Sequence, residues 1–447
     1  MFMDTFQISG IRQPARRVLT TLSLIVVSGC VYAQTLSIGQ CVDYALGHNH
    51  DLRLSRLQVE SSRVEHTRSL AAFLPAVSAS CGIQYNYGRS VSSETNTYEN
   101  VSTFANSWAA QMSMPLFDGG YLLAGYRRSR LALAQSTEAL EQARQELALQ
   151  VVQQYIDVVY YYCLSGIMQQ KLSDTDTLLN ISRVKAELGL LSESELVQMQ
   201  AQRATDDYNL AHVRSQCRQS LIALFTSMNY MPVEADTAVL SSFTLEFPTY
   251  DSCRLDCLFP QWGNKSVCLA QLELRQSGCK LRQAWSSIMP SVGLFAGVST
   301  SFYKRLHAPA YSSYGSQLDH NLGRYWGISV QMPIFNRLQV LSSIRQARIV
   351  RQMDAERLES ATDEAACASL SIRLDVESLS TEQTMMQLRV EADSVAYHAQ
   401  MLRYGEGLAT QLEVSNAAST LLESRVGRLR TRLTLLAKRL LLSFYTH

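Results

Sequence analysis

The chain has 447 residues, of which 47% are hydrophobic and 18% are charged, and its formal net charge is +1. This balance excludes an intrinsically disordered chain, and it provides no basic surface for a nucleic-acid partner. Only 9 prolines and 21 glycines occur in the chain. The composition therefore favours long, uninterrupted helices.

The N-terminus has the features of an export signal. Three arginines precede the short apolar run "VLTTLSLIVVSGCVYA", which ends in small residues at Ala33. We expect residues 1–33 to be a signal peptide that is removed. A competing interpretation is that "VSGC" is a lipoprotein cleavage box, in which case Cys30 would carry a lipid. After the signal, no apolar run has the length of a transmembrane helix.

The remainder of the chain is an internal duplication. The phrase "QMSMPLFD" begins at Gln111, and the similar phrase "SVQMPIFN" begins at Ser329, 218 residues later. The same offset relates other pairs on both sides of this phrase: Trp108 and Trp326, Arg127 and Arg345, Arg130 and Arg348, Gly189 and Gly407. We therefore predict two structural repeats, at 34–230 and 253–447, joined by an irregular connector at 231–252.

Each repeat contains two segments in which apolar residues alternate with small polar residues. This alternation predicts strands with one apolar face and one polar face. Lengths near ten residues, with tryptophan or tyrosine near the ends, favour strands that lie between lipid and a wet lumen. The alternative is a half-buried strand of a soluble sheet. The predicted strands are about 76–88, 105–115, 291–302 and 323–333.

Long helices account for most of each repeat. A first helix is predicted over roughly 36–73. Two segments that contain no proline each predict a helix on the order of 100 Å long, which is too long for a compact core. Shorter return helices follow after a turn. The long helices are predicted at about 119–188 and 337–405, and the return helices at about 192–230 and 410–445.

Apolar residues alternate at spacings of three and four in the second repeat. One such series runs from Met385 to Leu402, and another runs from Leu422 to Leu440. This spacing predicts coiled-coil seams, although a long helical bundle without a special role would show the same pattern.

The repeated phrase also predicts how strand and helix are joined. Pro115 and Pro333 would end the strands, where a missing N–H group is tolerated. Asp118 and Asn336 follow three residues later and would cap the first free amides of the long helices.

Four strands are too few to close a barrel, and open strand edges are not viable in lipid. If the strands lie in a membrane, several copies of the chain must therefore share one barrel. Two copies would give eight strands, whose interior is normally filled by side chains. Three copies would give twelve strands, which is enough for a channel.

Taken in order, the duplicated plan and the segments "MPLFDGG", "MPIFN", "ELGLLSESEL" and "GEGLATQLEV" resemble TolC-type outer-membrane efflux proteins. The resemblance covers nearly the whole mature chain. It implies a mostly α-helical homotrimer with a shared 12-stranded β-barrel in outer-membrane lipid and a long α-helical barrel in the periplasm. It also implies a periplasmic adaptor protein and an inner-membrane transporter as partners.

The resemblance also suggests roles for residues at the far ends of the helices. Tip turns of this family dock the adaptor, and acidic residues beyond them ring the tunnel entrance. Three copies of Glu413 would form a like-charge ring that favours cations and raises its own pKa values. Tyr404 corresponds to a tyrosine that helps to hold the entrance closed. The implied docking residues are Gly189, Leu190, Gly407 and Leu408, and the implied entrance residues are Tyr404, Glu195, Glu413 and Asn416. Asn416 replaces an acidic residue that is often found there, and Ala409 replaces a basic one.

No phosphate-binding loop, zinc-protease helix or nucleophile elbow is present in the sequence. The nine cysteines after Cys30 are scattered, and we expect neither a metal site nor a cofactor. We therefore predict a passive conduit rather than an enzyme, namely the outer-membrane channel of a tripartite pump for small molecules. The alternatives are a channel for type I protein secretion or metal-ion efflux, and a periplasmic coiled-coil scaffold without a pore.

Overall fold

The computed structural model describes residues 35–91, 96–100, 102–230, 244–245, 265–306 and 313–446. The signal peptide and Cys30 lie outside these ranges. So does the connector at 231–252, apart from the short strand Thr244–Leu245, which pairs in parallel with Thr35–Leu36.

The order of elements confirms the predicted fold class, a mostly α-helical chain with helix, strand, strand and long helices in each half. The helices are α1 (Ile38–His48), α2 (His50–Ala71), α3 (Tyr121–Glu187), α4 (Glu193–Met228), α5 (Lys265–Ser286), α6 (Tyr314–His320), α7 (Gln339–Gly405) and α8 (Gln411–Thr446). The main strands are β1 (Ala76–Asn86), β2 (Thr103–Phe117), β3 (Ser291–Arg305) and β4 (Gly323–Gln331). Beyond β1, Arg89–Val91 pairs with Tyr98–Asn100.

The single first helix predicted over 36–73 is wrong, because the chain breaks between α1 and α2 at Asn49. The Asn49 side chain accepts hydrogen bonds from the amides of Asp51 (2.8 Å) and Leu52 (3.3 Å), so it caps α2. Its Nδ2 donates to the carbonyl oxygen of Ser227 in α4 (2.9 Å). The break is therefore fixed against a neighbouring helix.

The four main strands form one antiparallel sheet in the order β1-β2-β3-β4. The register places apolar side chains opposite one another across the whole sheet: Val77 faces Met112, Met112 faces Ala296, and Ala296 faces Trp326. One face is thus apolar and the other is rich in serine and glycine. Within the described residues, the outer edges of β1 and β4 have no partner strand.

The strand ends differ from the prediction. Pro115 does not end β2, because the strand continues to Phe117 through a bulge between these two residues. The bulge accommodates a residue that has no N–H group for the ladder. In the second half, β4 ends at Gln331, two residues before Pro333.

The short helix α6 was not predicted, and it covers a strand edge. β4 pairs with β3 only as far as Ser299, so the outer part of β3 lacks a partner on that side. There the amide of Tyr303 donates to Oε1 of Gln317 (3.0 Å), and Nδ2 of Asn321 donates to the carbonyl oxygen of Ser301 (2.7 Å). These side chains satisfy backbone groups that β4 leaves unpaired.

Two apolar clusters hold the long helices together. The larger one surrounds Tyr155 of α3, which is fully buried, and includes residues of α1, α4 and α8. The smaller one lies near the far ends of α3 and α7 and includes Leu178, Met199 and Tyr404. None of the helices in the described ranges has an apolar stretch that would span a bilayer.

The two predicted seams differ in their packing. In α8, Leu433 and Leu440 are only 2% and 3% exposed, so this seam packs within the chain. In α7, however, Met385, Leu388 and Leu402 are 60%, 62% and 72% exposed. The α7 residues that are buried instead include Val390, Tyr397 and Tyr404. The α7 seam therefore faces away from the rest of its own chain.

Candidate channel wall and tips

Asp118 caps the long helix of the first half, as its position predicted. Its carboxylate accepts from the amides of Gly120 (3.1 Å) and Leu122 (2.7 Å). Gly119 and Gly120 both have positive φ, 67° and 84°. This turn packs closely, because a Cβ added to Gly119 would lie 2.7 Å from the carbonyl oxygen of Ser286.

The second joint follows the same path with different residues. Arg337 and Leu338 occupy the positions of the two glycines, and their φ values are 55° and 63°. Leu338 is the residue before α7, and it provides no side-chain cap. Asn336 contributes its backbone carbonyl, which accepts from the amide of Gln339 (3.0 Å). The side-chain cap predicted for Asn336 is thus replaced by a backbone turn.

The two tip turns have the same geometry. Gly189 and Gly407 have φ of 72° and 78°. The amide of Leu190 donates to Lys185 O, and that of Leu408 donates to Arg403 O, both at 2.8 Å. These bonds are the 6→1 bonds of Schellman motifs, in which glycine is favoured because φ is positive. Each turn leaves a leucine on the surface, since Leu190 is 73% and Leu408 is 66% exposed.

The two glutamates beyond the tips belong to helix caps. The amide of Ser192 donates to Glu195 (3.1 Å), and the amide of Thr410 donates to Glu413 (2.8 Å). Ser192 and Thr410 in turn accept from the glutamate amides, which completes two capping boxes. The bonds from Thr410 lower the pKa of Glu413 in the single chain. This direction is opposite to the one expected for a like-charge ring.

Tyr404 joins the two halves near the tips. Its side chain is 3% exposed, and its hydroxyl lies 2.8 Å from the hydroxyl of Ser182 in α3. The ammonium of Lys185 donates to the Tyr404 carbonyl oxygen and also lies 4.2 Å from the centre of its ring. Ala409 packs against the same cluster, whereas Asn416 is exposed on the face of α8 that carries Glu413.

A buried ionic network links α3 and α4, and no motif of the sequence predicts it. Asp206 of α4 is 3% exposed and lies 2.9 Å from the ammonium of Lys171 in α3. Thr175 and Gln202 donate to the same carboxylate at 2.9 and 3.1 Å. Asp206 stands in a run of polar residues, "RATDD", and only its interhelical contacts distinguish it. No cluster of metal-ligating side chains occurs among the residues that the structure describes.

The open apolar sheet, the two helices of 67 residues and the paired tips define a class of protein, namely channels with strands in a membrane and helices outside it. Comparison with known proteins gives the family that the first half of the chain matches. Residues 41–230 match the family model described as outer membrane efflux protein.

Individual relatives agree with this class. The outer membrane efflux protein BepC of Brucella suis is 19% identical over 90% of this chain and 84% of its own length. The alkaline protease secretion protein AprF of Pseudomonas aeruginosa is 34% identical, but the match covers only 25% of this chain and 22% of AprF. The crystal structure of the outer membrane protein VceC of Vibrio cholerae superposes with a TM-score of 0.78 at 15% identity, over 91% of this chain and 94% of VceC.

The chain therefore matches outer membrane efflux proteins by sequence over residues 41–230, and over nearly its whole length it has the fold of TolC-like outer-membrane channels. It is located in the outer membrane, and its helical part extends into the periplasm.

Proposed function

We propose that the protein is the outer-membrane channel of a tripartite efflux pump, a passive homotrimeric conduit that carries small molecules from the periplasm to the exterior. The observation that carries this proposal is the four-stranded sheet, which is apolar on one face and open at β1 and β4. Lipid forms no hydrogen bonds with the unpaired N–H and C=O groups at these strand edges, so another copy of the chain must pair with them. Three copies would supply twelve strands, enough to enclose an aqueous pore.

The exposed seam of α7 supports the same assembly independently. Its six residues at coiled-coil spacing are all exposed in the single chain: Met385, Leu388, Ala392, Val395, Ala399 and Leu402. An apolar stripe of this length requires a partner helix. A neighbouring copy that closes the sheet would also supply that helix.

The tips are the proposed docking sites for the periplasmic adaptor, which would link the channel to an inner-membrane transporter. Leu190 and Leu408 are exposed on turns of identical geometry, so each chain presents two equivalent apolar contacts. The contact of Tyr404 with Ser182 and Lys185 joins α7 to α3, and we propose that it holds the entrance closed.

A second candidate cargo is protein. The match to AprF, whose name describes alkaline protease secretion, favours type I secretion as the alternative. The tunnel and the trimer would be the same in both cases, since fold does not fix cargo. Metal-ion efflux and a scaffold without a pore remain the other hypotheses from the sequence.

Native mass spectrometry in detergent, followed by single-channel recording in a planar bilayer, tests the proposal. We expect a mass of three chains and a steady conductance. Val395→Glu places a charge on the α7 seam and should reduce the trimer fraction, whereas Ala396→Glu, one residue away and off the seam, should not. A wild-type protein that stays monomeric and soluble without detergent would overturn the proposal. A folded trimer without conductance would support the scaffold.

A further inference from the structure

A cavity of about 790 Å³ lies between α3, α5 and α7, close to the point where α5 leads into β3. Five arginines line it, and all five side chains are exposed: Arg127, Arg130, Arg275, Arg282 and Arg351. They come from three different helices. The cavity is therefore a feature of the folded chain rather than a basic stretch of sequence.

These arginines have no carboxylate partners among the described residues. No acidic side chain lines the cavity. The acidic residue that follows Arg351 by one turn, Asp354, accepts instead from Arg357 (3.1 Å). Five positive charges around one cavity with no carboxylate beside them give the cavity a potential that attracts anions.

The surfaces between the arginines are apolar. Leu131, Leu274 and Leu281 contribute to the lining. Trp285, which is 47% exposed, lies at the end of the cavity that is nearest to β3. A simple inorganic anion would contact only the arginines and would leave these apolar surfaces uncovered. An amphiphile with an acidic head and an apolar body matches both parts of the lining.

The position of the cavity indicates the source of that amphiphile. Trp285 precedes Ser291, the first residue of β3, by only six residues. Arg275 is ten residues further down α5, a distance of about 15 Å. A tryptophan near the end of a membrane-crossing strand is typical of the headgroup level of a bilayer, and the arginines lie on the helix side of Trp285, away from the strand. Guanidinium groups also bind phosphate in bidentate fashion.

We propose that this cavity binds an anionic phospholipid of the periplasmic leaflet, with the phosphate held by the arginines and the acyl chains against Trp285 and the leucines. The proposal depends on the outer-membrane location and not on the trimer, the pump or the cargo. A failure of the conduit hypothesis would leave it intact.

Native mass spectrometry with equimolar phosphatidylglycerol and phosphatidylcholine tests the proposal. We expect the wild-type protein to retain phosphatidylglycerol preferentially. The variant Arg275→Gln/Arg282→Gln should lose this preference by about tenfold, since it removes two charge-assisted contacts. The matched control is Arg345→Gln/Arg348→Gln. These residues are the repeat equivalents of Arg127 and Arg130 and are also exposed, but they do not line the cavity.

An equal loss in the control variant would assign the preference to general surface charge and overturn the proposal. An equal affinity of the wild-type protein for both lipids would also overturn it. Inorganic phosphate is tested as a competitor: if it displaces phosphatidylglycerol completely at equal concentration, the site binds a free anion and not a lipid.

Fluorescence provides a second readout that does not depend on charge. In a variant whose other tryptophans (Trp108, Trp262 and Trp326) are replaced by phenylalanine, phosphatidylglycerol brominated on its acyl chains should quench Trp285 more strongly than brominated phosphatidylcholine does. The absence of this difference in a protein with the wild-type helical circular dichroism would contradict the placement of the acyl chains.

Discussion

The two strand-to-helix joints follow the same backbone path with different residues. Gly119 and Gly120 adopt positive φ at no steric cost, whereas Arg337 and Leu338 adopt it against the preference of residues with a Cβ. The duplication has thus retained the turn and changed its chemistry. The second half keeps the positive φ angles of this turn despite the strain, which indicates that the connection from strand to helix requires them.

The helical hairpins differ in the same way. In the first half, Lys171 and Asp206 form a buried ion pair between α3 and α4. The equivalent positions of the second half, 218 residues later, are Arg389 and Ser424. Arg389 contacts Asp393 within its own helix, and Ser424, which is fully buried, donates to Leu421. The second hairpin does have an ion pair between its helices, Lys438 and Asp375, but both side chains are partly exposed, whereas the pair in the first hairpin is buried.

The largest effect should come from breaking that contact. Asp206→Ala leaves the Lys171 ammonium mostly buried without its partner, and we expect a loss of about 3 kcal/mol in the free energy of unfolding. Urea denaturation followed by circular dichroism measures this loss. The control is Asp176→Ala, whose ion pair with Arg203 is exposed and should contribute less than about 1 kcal/mol. Equal losses in the two variants would show that the buried pair of Lys171 and Asp206 stabilises the protein no more than the exposed pair does.

Substitution at the first joint should have the next largest effect. Gly119→Ala combines positive φ with a clash against Ser286, and we expect a loss of about 2 to 3 kcal/mol. Gly120→Ala shares the positive φ, but its added Cβ meets no atom within 4 Å, so about 1 kcal/mol is expected. The difference between their unfolding free energies isolates the clash. If the two variants are equally stable, the close approach of α5 to this turn is not rigid.

Loosening the link between the halves should have a smaller effect. Tyr404→Phe removes the hydrogen bond to Ser182 and should cost about 1 kcal/mol. Ser182→Ala should cost a similar amount, and the double variant should cost little more, since both changes remove one bond. Single-channel recording of the same variants tests the gating proposal, and both should show more frequent opening. Additive losses would show that the two hydroxyl groups act separately.

The smallest effect concerns the second joint, and its sign is reversed. Leu338→Gly relieves the positive φ and should stabilise the protein by about 0.5 to 1 kcal/mol. Leu341→Gly, three residues later inside α7, should destabilise it by about 1 kcal/mol. Thermal denaturation of the two variants should therefore give shifts of opposite sign. A destabilised Leu338→Gly protein would mean that Arg337 and Leu338 are not strained.

The sequence determined the architecture well because its signals are long-range and repeated. The constant offset between the halves and the absence of proline over long stretches both predicted elements that the structure contains. Breaks that depend on one residue were harder to predict. Asn49 was missed, although an asparagine followed by Asp51 is a recognised start of a helix.

The tip region shows what a resemblance to a family leaves out at single residues. The resemblance to a family places Glu195 and Glu413 at the tunnel entrance, whereas Ser192 and Thr410, three residues before them, give each glutamate the pattern of a capping box. That local signal was present in the sequence. The exposure of the α7 seam could not be predicted in the same way. A periodic pattern shows that a stripe is apolar, but not which helix covers it.

The lengths of α3 and α7 have a mechanical consequence. Both helices contain 67 residues, and their first and last residues are related by the same offset. Gly189 and Gly407 therefore stand level with each other at the far rim. One residue inserted into a single helix would displace one rim turn by about 1.5 Å and rotate it by about 100°. The turns at Gly189 and Gly407 can therefore move further from the sheet together only if both halves gain insertions of the same length.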